Sequence, residues 1–85
     1  MPTIYRVKGY SFFFFSNEGD THEPAHIHVR KGSSTAKFWL DPEVILANSY
    51  ELNASELNEL EGIIKQKQDV FKEAWYAYFG SYGSS

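Results

Sequence analysis

The sequence of 85 residues contains no cysteine. Disulfide bonds and zinc sites built on thiolates are therefore excluded. No apolar run approaches the ~20 residues that a membrane-spanning helix needs, and the first ten residues lack the long apolar segment of a secretory signal peptide. Together these absences predict a soluble, cytoplasmic protein that has no membrane partner.

Histidine is also scarce, and its distribution is uneven. The chain has three histidines, at positions 22, 26 and 28, and all of them lie between Ser16 and Gly32. This clustering marks one segment as the place to look for metal ligands, acid–base groups or ordinary polar side chains of a strand.

Charge is distributed unevenly along the chain. The net charge is −3, but residues 1–37 carry five basic and three acidic side chains, whereas residues 38–85 carry three basic and eight acidic ones. A nucleic-acid-binding protein that is basic over its whole surface is disfavoured. A basic face confined to the N-terminal half remains open.

Aromatic residues are abundant and make a core feasible in so short a chain. They form 18% of the sequence, as seven Phe, six Tyr and two Trp. A domain of this size buries only about 60–65% of its unfolded surface, and large rings supply much of that burial per residue. The same rings would suit an interface with a partner.

The N-terminal half has the patterns of β-strands. Tyr5 and Val7 alternate with Arg6 and Lys8, which is typical of a half-buried strand. Residues 12–15 are four consecutive phenylalanines, which predicts a strand covered on both sides or one that meets a partner.

The clearest predicted unit is a hairpin around Gly32 and Ser33, where glycine at the first turn position fits a type II′ turn. Its register places three apolar pairs on one face: Val29 with Ala36, Ile27 with Phe38, and Ala25 with Leu40. The other face pairs Arg30 with Thr35, His28 with Lys37, and His26 with Trp39. A slip of one residue would destroy this match.

The C-terminal half predicts a helix. Asn53 and Glu56 have the spacing of a capping box, and Gly80 stands where a C′ glycine belongs. Gly62 in the interior favours a kink. One apolar stripe recurs at helical spacing and comprises Leu57, Leu60, Ile64, Phe71, Ala74, Trp75 and Tyr78.

These elements predict a single α+β domain over residues 1–80. It consists of an antiparallel sheet of four to five strands followed by one long helix on the apolar face of the sheet. Residues 81–85 are rich in Gly and Ser and predict a flexible tail.

The polar face of the hairpin suits an anion such as an RNA phosphate. His26 and His28 would be general base and general acid in RNA cleavage without a metal. Arg30 and Lys37 would bind the phosphate, and Trp39 would stack on a base. Binding without chemistry uses the same side chains.

Two other interpretations of this face stay open. Two histidines spaced i, i+2 on a strand point the same way, so His26 and His28 are alternative ligands of a divalent metal such as zinc. His22, Asp20, Glu23 or Asp41 would complete that set, although a neighbouring Lys37 would repel the ion. Otherwise the face is simply solvated, and the aromatic residues form a non-catalytic interface with another protein or with a second copy.

Several segments together resemble a small bacterial family, domain of unknown function 4160. They read MPTIY, GYSFFFFSNEG, EPAHIHV, AKFWLDP and EAWYAYFG. The resemblance spans about residues 2–80. The motif positions of the family fall on Glu23, Pro24, His26, His28, Lys37, Trp39, Asp41 and Trp75, whereas His22 does not match.

The resemblance also implies a biological context. Members of this family are often encoded beside a small protein of the domain of unknown function 2442 type, and such pairs are proposed to be toxin–antitoxin modules. The chain would be the toxin-like member, with a small antitoxin-like partner and a target in RNA or translation. Glu23 and Asp41 would support the site from the loop and the motif.

Overall fold

Five strands precede two helices in the computed structural model, which describes residues 3–15 and 23–79. The elements are β1 (Thr3–Val7), β2 (Tyr10–Phe13), β3 (His26–Lys31), β4 (Ser34–Trp39), β5 (Ile45–Tyr50), α1 (Ala54–Gln66) and α2 (Gln68–Phe79). The strands form one antiparallel sheet in the order β1-β2-β3-β4-β5. The predicted α+β class and the five-stranded sheet are confirmed. His22, Gly80 and the predicted tail at 81–85 lie outside the described residues.

The first hairpin turns at Lys8 and Gly9. Both residues have positive φ, +54° and +84°, as both central positions of a type I′ turn require. Glycine adopts this conformation without strain. Lys8 also adopts it, and its ammonium group lies 2.7 Å from Glu59 Oε2 on α1. The alternating segment around Tyr5 and Val7 therefore forms the strand that the sequence predicts.

The second hairpin has the register that the sequence predicts. Six pairs are present, from Lys31 opposite Ser34 to His26 opposite Trp39, and they include five of the six pairs predicted above. Gly32 has φ +61°, as the first position of a type II′ turn requires. Beyond the strands, the pairing continues where the Leu40 amide donates to the Ala25 carbonyl at 2.8 Å.

The core lies between one face of the sheet and the two helices. The strands contribute Phe12, Ile27, Val29, Ala36 and Phe38, α1 contributes Leu60 and Ile64, and α2 contributes Phe71, Trp75 and Phe79. The rings of Phe12 and Phe71 meet with centroids 5.6 Å apart. Each large apolar side chain buried in this way contributes about 1.5–3 kcal/mol, so this layer is the main stabilising feature.

The prediction of one long helix is wrong. The helical conformation is interrupted at Lys67, which has φ −110° and ψ 18°. The Lys67 amide donates hydrogen bonds to the carbonyls of Ile63 and Ile64, each at 3.1 Å. An unbroken helix from Ala54 to Phe79 would be ~39 Å long, whereas a six-residue strand spans only ~20 Å. Because the sheet is shorter than such a helix, two segments cover it better than one. The break lies five residues after the kink that Gly62 predicts.

The start of the helical region has the predicted capping box. The Glu56 amide donates to Asn53 Oδ1 at 2.8 Å, and the Asn53 amide donates to Glu56 Oε1 at 3.0 Å. Within residues 3–15 and 23–79, no helix combines the length and the apolar character needed to cross a bilayer.

Candidate functional site

The sheet face opposite the helices carries the predicted site, and we call it the open face. Strand register and alternation place polar, cationic and aromatic side chains on it: Arg6, Ser11, Phe13, His28, Arg30, Thr35, Lys37, Trp39, Ile45, Asn48 and Tyr50. The buried residues of both helices pack against the other face, and Trp75 of α2 also reaches His26, which register places on the open face. The open face therefore combines three permanent cations with aromatic rings.

An aromatic cluster surrounds His28 on the open face. Its imidazole stacks on Phe13, with centroids 5.7 Å apart and an interplanar angle of 24°, and meets the edge of Phe15 at 4.4 Å. The Arg30 guanidinium carbon lies 5.7 Å from the centroid of Phe13. These contacts leave Phe13 only 6% exposed, whereas His28 stays half-buried. The imidazole is therefore oriented by rings yet still reaches the surface.

Lys37 lies beside this cluster and is held by two neighbours. Its ammonium nitrogen is 3.2 Å from Glu23 Oε1 and 4.5 Å from the centroid of Trp39. The Glu23 carboxylate is 42% exposed, whereas the Lys37 side chain is only 18% exposed. Glu23 and Trp39 therefore hold the Lys37 ammonium group in place on the open face.

His26 differs from the prediction. The sequence predicts that both imidazoles share an exposed face, and this is wrong for His26, whose exposure is 0%. Its ring lies 4.7 Å from Trp75 of α2 and 5.4 Å from Trp39, measured between centroids. Its Nδ1 is 2.9 Å from the carbonyl oxygen of Pro24. A carbonyl oxygen only accepts, so Nδ1 carries the proton in this contact.

These surroundings make His26 a positioning residue. It fixes the start of β3 against α2 and against the backbone of Pro24, and the side chain of Glu23 lies 3.8 Å from its Nδ1. The edge of the His26 ring also faces His28, with centroids 5.4 Å apart. His26 thus contacts the more accessible imidazole of His28 from the neighbouring position on the same face, while a catalytic role for the two histidines stays a prediction.

Asp41 lies away from this group of side chains. Its carboxylate is 3.6 Å from the Lys72 ammonium on α2, and nearby the Gln68 side-chain amide donates to the Leu40 carbonyl at 2.8 Å. Both contacts fasten α2 to the end of β4. Asp41 therefore supports the fold near the site, and Glu23 is the predicted supporting residue that contacts the site side chains.

The sequence does not predict that Arg6, Phe13 or Tyr50 belongs to the open face. A signal exists for Phe13, since alternation sets Phe12 and Phe13 on opposite faces of the strand. Tyr50 is 61% exposed and opposes Thr35 across β4 and β5.

The metal alternative gains no third ligand from the described part of the chain. Within residues 3–15 and 23–79, no group of three His, Cys, Asp or Glu side chains is placed to hold a metal ion. His22 and Asp20, which the prediction named as further ligands, lie outside those residues. A zinc site on His26 and His28 stays a prediction.

Chemically, the open face carries groups that can contact an anionic strand. Arg30 and Lys37 carry fixed positive charge that can bind phosphates. His28, which opposes Lys37 across β3 and β4, adds a hydrogen-bonding imidazole. Exposed Tyr50 and half-buried Trp39 provide ring faces for stacking.

A comparison with known families agrees with the resemblance seen in the sequence. The profile of the family described as Domain of unknown function (DUF4160) matches residues 9–76, which run from the first turn into α2. No curated protein and no solved structure matches the chain significantly. Since the match covers most of the sheet and both helices, the chain belongs to the DUF4160 family.

Proposed function

We propose that this chain binds single-stranded RNA through the open face and acts as the toxin-like member of a two-protein bacterial module in the cytoplasm. One observation carries the RNA part: cationic and aromatic side chains share a sheet surface that the helices leave uncovered except at His26, which Trp75 of α2 contacts. The toxin-like part rests on the resemblance of the chain to its family and would involve a small antitoxin-like partner.

The composition of the open face favours a single strand over a duplex. Unpaired bases stack on exposed rings, and each such contact is worth about 1–3 kcal/mol. Tyr50 and Trp39 supply those rings beside the charges of Lys37 and Arg30. An uncovered antiparallel sheet also suits the splayed bases of a single strand better than it suits an A-form duplex.

The burial of His26 favours binding over cleavage. Metal-independent cleavage needs two imidazoles that reach the substrate, one as base and one as acid. His26 is fully buried, so His28 is the accessible member and contacts a phosphate or a 2′-hydroxyl. In this proposal His26 acts through His28 and does not touch the RNA.

Fluorescence anisotropy with a labelled single-stranded RNA of about 10 nucleotides tests the RNA proposal, because one small sheet surface covers roughly 4–16 nucleotides. Arg30→Ala and Lys37→Ala should each weaken binding several-fold and lower the slope of log affinity against log salt by about 1, since each removes one phosphate contact. Lys65→Ala is the matched control: Lys65 is an exposed cation on α1, paired with Glu61.

Equal losses in all three variants would mean that only net charge matters and would contradict a site on the open face. Absence of binding at low salt would overturn the RNA proposal outright. Degradation of the labelled RNA during incubation would instead indicate cleavage, and His26 would then be a candidate for the second acid–base group.

Growth of a bacterial culture during induced expression tests the toxin-like role. The wild-type chain should arrest growth, and the double variant Arg30→Ala/Lys37→Ala at matched soluble level should not, because it lacks the cations that bind RNA. Growth curves with plate counts measure this outcome. Arrest by both chains would place the toxic action elsewhere on the molecule.

A non-catalytic interaction module is the second candidate function. It is favoured by the exposed apolar side chains of β5, where Ile45 is 49% and Leu46 is 38% exposed. Such side chains on a strand at the edge of a sheet are typical of protein contacts.

A further inference from the structure

We infer that β5 pairs antiparallel with β5 of a second copy of this chain, so that two five-stranded sheets join at this edge. The strand order leaves β1 and β5 as the two edges of the sheet. An edge strand presents a row of backbone N–H and C=O groups that can pair with another strand. The inference concerns the protein without RNA and does not depend on the proposed RNA binding.

The two edges are protected unequally. β1 carries Arg6 and is followed by Lys8, both exposed, and charged side chains at an edge oppose pairing with another chain. β5 reads ILANSY and has no charged residue, no proline and no glycine. Five of its six residues are exposed, all except the half-buried Ala47.

The acidic residue that follows β5 is turned away from the edge. The Ser33 hydroxyl donates to Glu51 Oε1 at 3.1 Å, and the Ser34 hydroxyl donates to the Glu51 carbonyl at 2.8 Å. Both serines lie at the turn and start of β4, on the inner side of β5. The negative charge of Glu51 is thereby held towards the sheet, and the outer edge of the strand stays neutral.

A β-bulge makes the strand complementary to itself. Pairing with β4 shifts register between Lys37 and Phe38, so Ile45 opposes Trp39 while Tyr50 opposes Thr35. Ile45 and Tyr50 therefore share the open face, although residues five apart lie on opposite faces of a regular strand. Leu46 and Ser49 share the other face, because they oppose Phe38 and Ala36.

This arrangement meets the requirement of a two-fold interface, in which residue i of one copy contacts residue j of the other and j contacts i. An antiparallel pair centred between Ala47 and Asn48 sets Ile45 against Tyr50 of the second copy, twice. It also sets Leu46 against Ser49, twice. Each cross-strand pair brings together side chains that lie on the same face of the sheet, so the two copies of β5 match each other in this register. β5 itself contains no charged residue, so no two carboxylates face each other within this six-residue pairing.

Sedimentation velocity of the full chain without RNA, from about 5 μM to 500 μM, tests the pairing across the range where modest affinities show. The wild type should change from monomer to dimer over this range. Ile45→Lys and Tyr50→Lys should each weaken the dimer at least tenfold, since a charge is placed on the pairing edge. Val70→Lys is the matched control, because Val70 is an apolar residue of α2 with 58% exposure.

Amide hydrogen exchange supplies a readout specific to the edge. In the dimer, amides within Ile45–Tyr50 that point outward should gain protection with rising concentration, and those of β1 should not. A wild-type chain that is monomeric throughout, or a dimer that both edge variants leave unchanged, would overturn the proposal. Circular dichroism identifies any variant that fails to fold. If Ile45→Lys does not fold, Tyr50→Lys alone tests the proposal, because Tyr50 is the more exposed of the two residues.

Discussion

At the scale of single residues, two histidines of one strand have different surroundings. Their register puts both on the open face, but His26 is covered by Trp75 and Trp39, whereas His28 reaches the surface between Phe13 and Phe15. Alternation along β3 predicts which face a side chain occupies. It does not predict that a ring from α2 reaches the end of the strand and buries one of the two.

Substitution of each histidine should separate these roles. His26→Ala should lower the free energy of unfolding by about 2–4 kcal/mol, because it leaves a cavity and removes the hydrogen bond to Pro24. His28→Ala should lower it by about 1 kcal/mol or less, since the ring is half-buried, yet should weaken RNA binding. Urea denaturation of both variants measures the difference. Equal decreases in the free energy of unfolding would contradict the structural role of the buried His26 side chain.

At the scale of secondary-structure elements, the sequence predicts local features well. The hairpin register of β3 and β4 followed from apolar pairs, and the Asn53 cap followed from its spacing to Glu56. The break at Lys67 did not, because the apolar stripe continues past it from Ile64 to Phe71. The length of the sheet, which no local pattern contains, limits the length of each helix.

The contact between the first hairpin and α1 predicts a change at alkaline pH. Burial raises the pKa of the Tyr10 phenol, and the hydrogen bond to Glu59 raises the pKa of Lys8. Because each folded-state pKa lies above the value in the unfolded chain, the group stabilises the fold fully at pH values below its unfolded pKa. This stabilisation is lost as the pH rises through the folded-state pKa. Stability should therefore fall above about pH 10, the ordinary pKa of tyrosine.

Tyr10→Phe should make this fall shallower, because phenylalanine does not ionise. Thermal unfolding between about pH 8 and pH 11 measures the slope, with Tyr76→Phe as the control at an exposed tyrosine of α2. An identical slope in wild type and Tyr10→Phe would show that the Tyr10 phenol contributes nothing to the alkaline transition. Lys8 is exposed, so its ion pair is screened by solvent and its contribution is small.

At the scale of the whole molecule, charge is separated between the two layers. The five strands carry four basic side chains and no acidic one, whereas the two helices carry five acidic and two basic side chains. Paired β5 strands related by a two-fold axis perpendicular to the sheet would set both open faces on the same side. The dimer would then present the basic side chains of both open faces on one side, flanking the neutral β5 strands, with the acidic helices behind them.

The sequence by itself determined the α+β class, the β3–β4 register and the membership of His28, Arg30, Lys37 and Trp39 in one sheet face. Those features follow from alternation, turn residues and apolar pairing, which act between near neighbours. Only the tertiary structure decided that His26 is buried, that Asp41 binds Lys72, and that the helix divides at Lys67. Each of these depends on how α2 packs against the sheet, and packing between elements far apart in the chain leaves no periodic signal in the sequence.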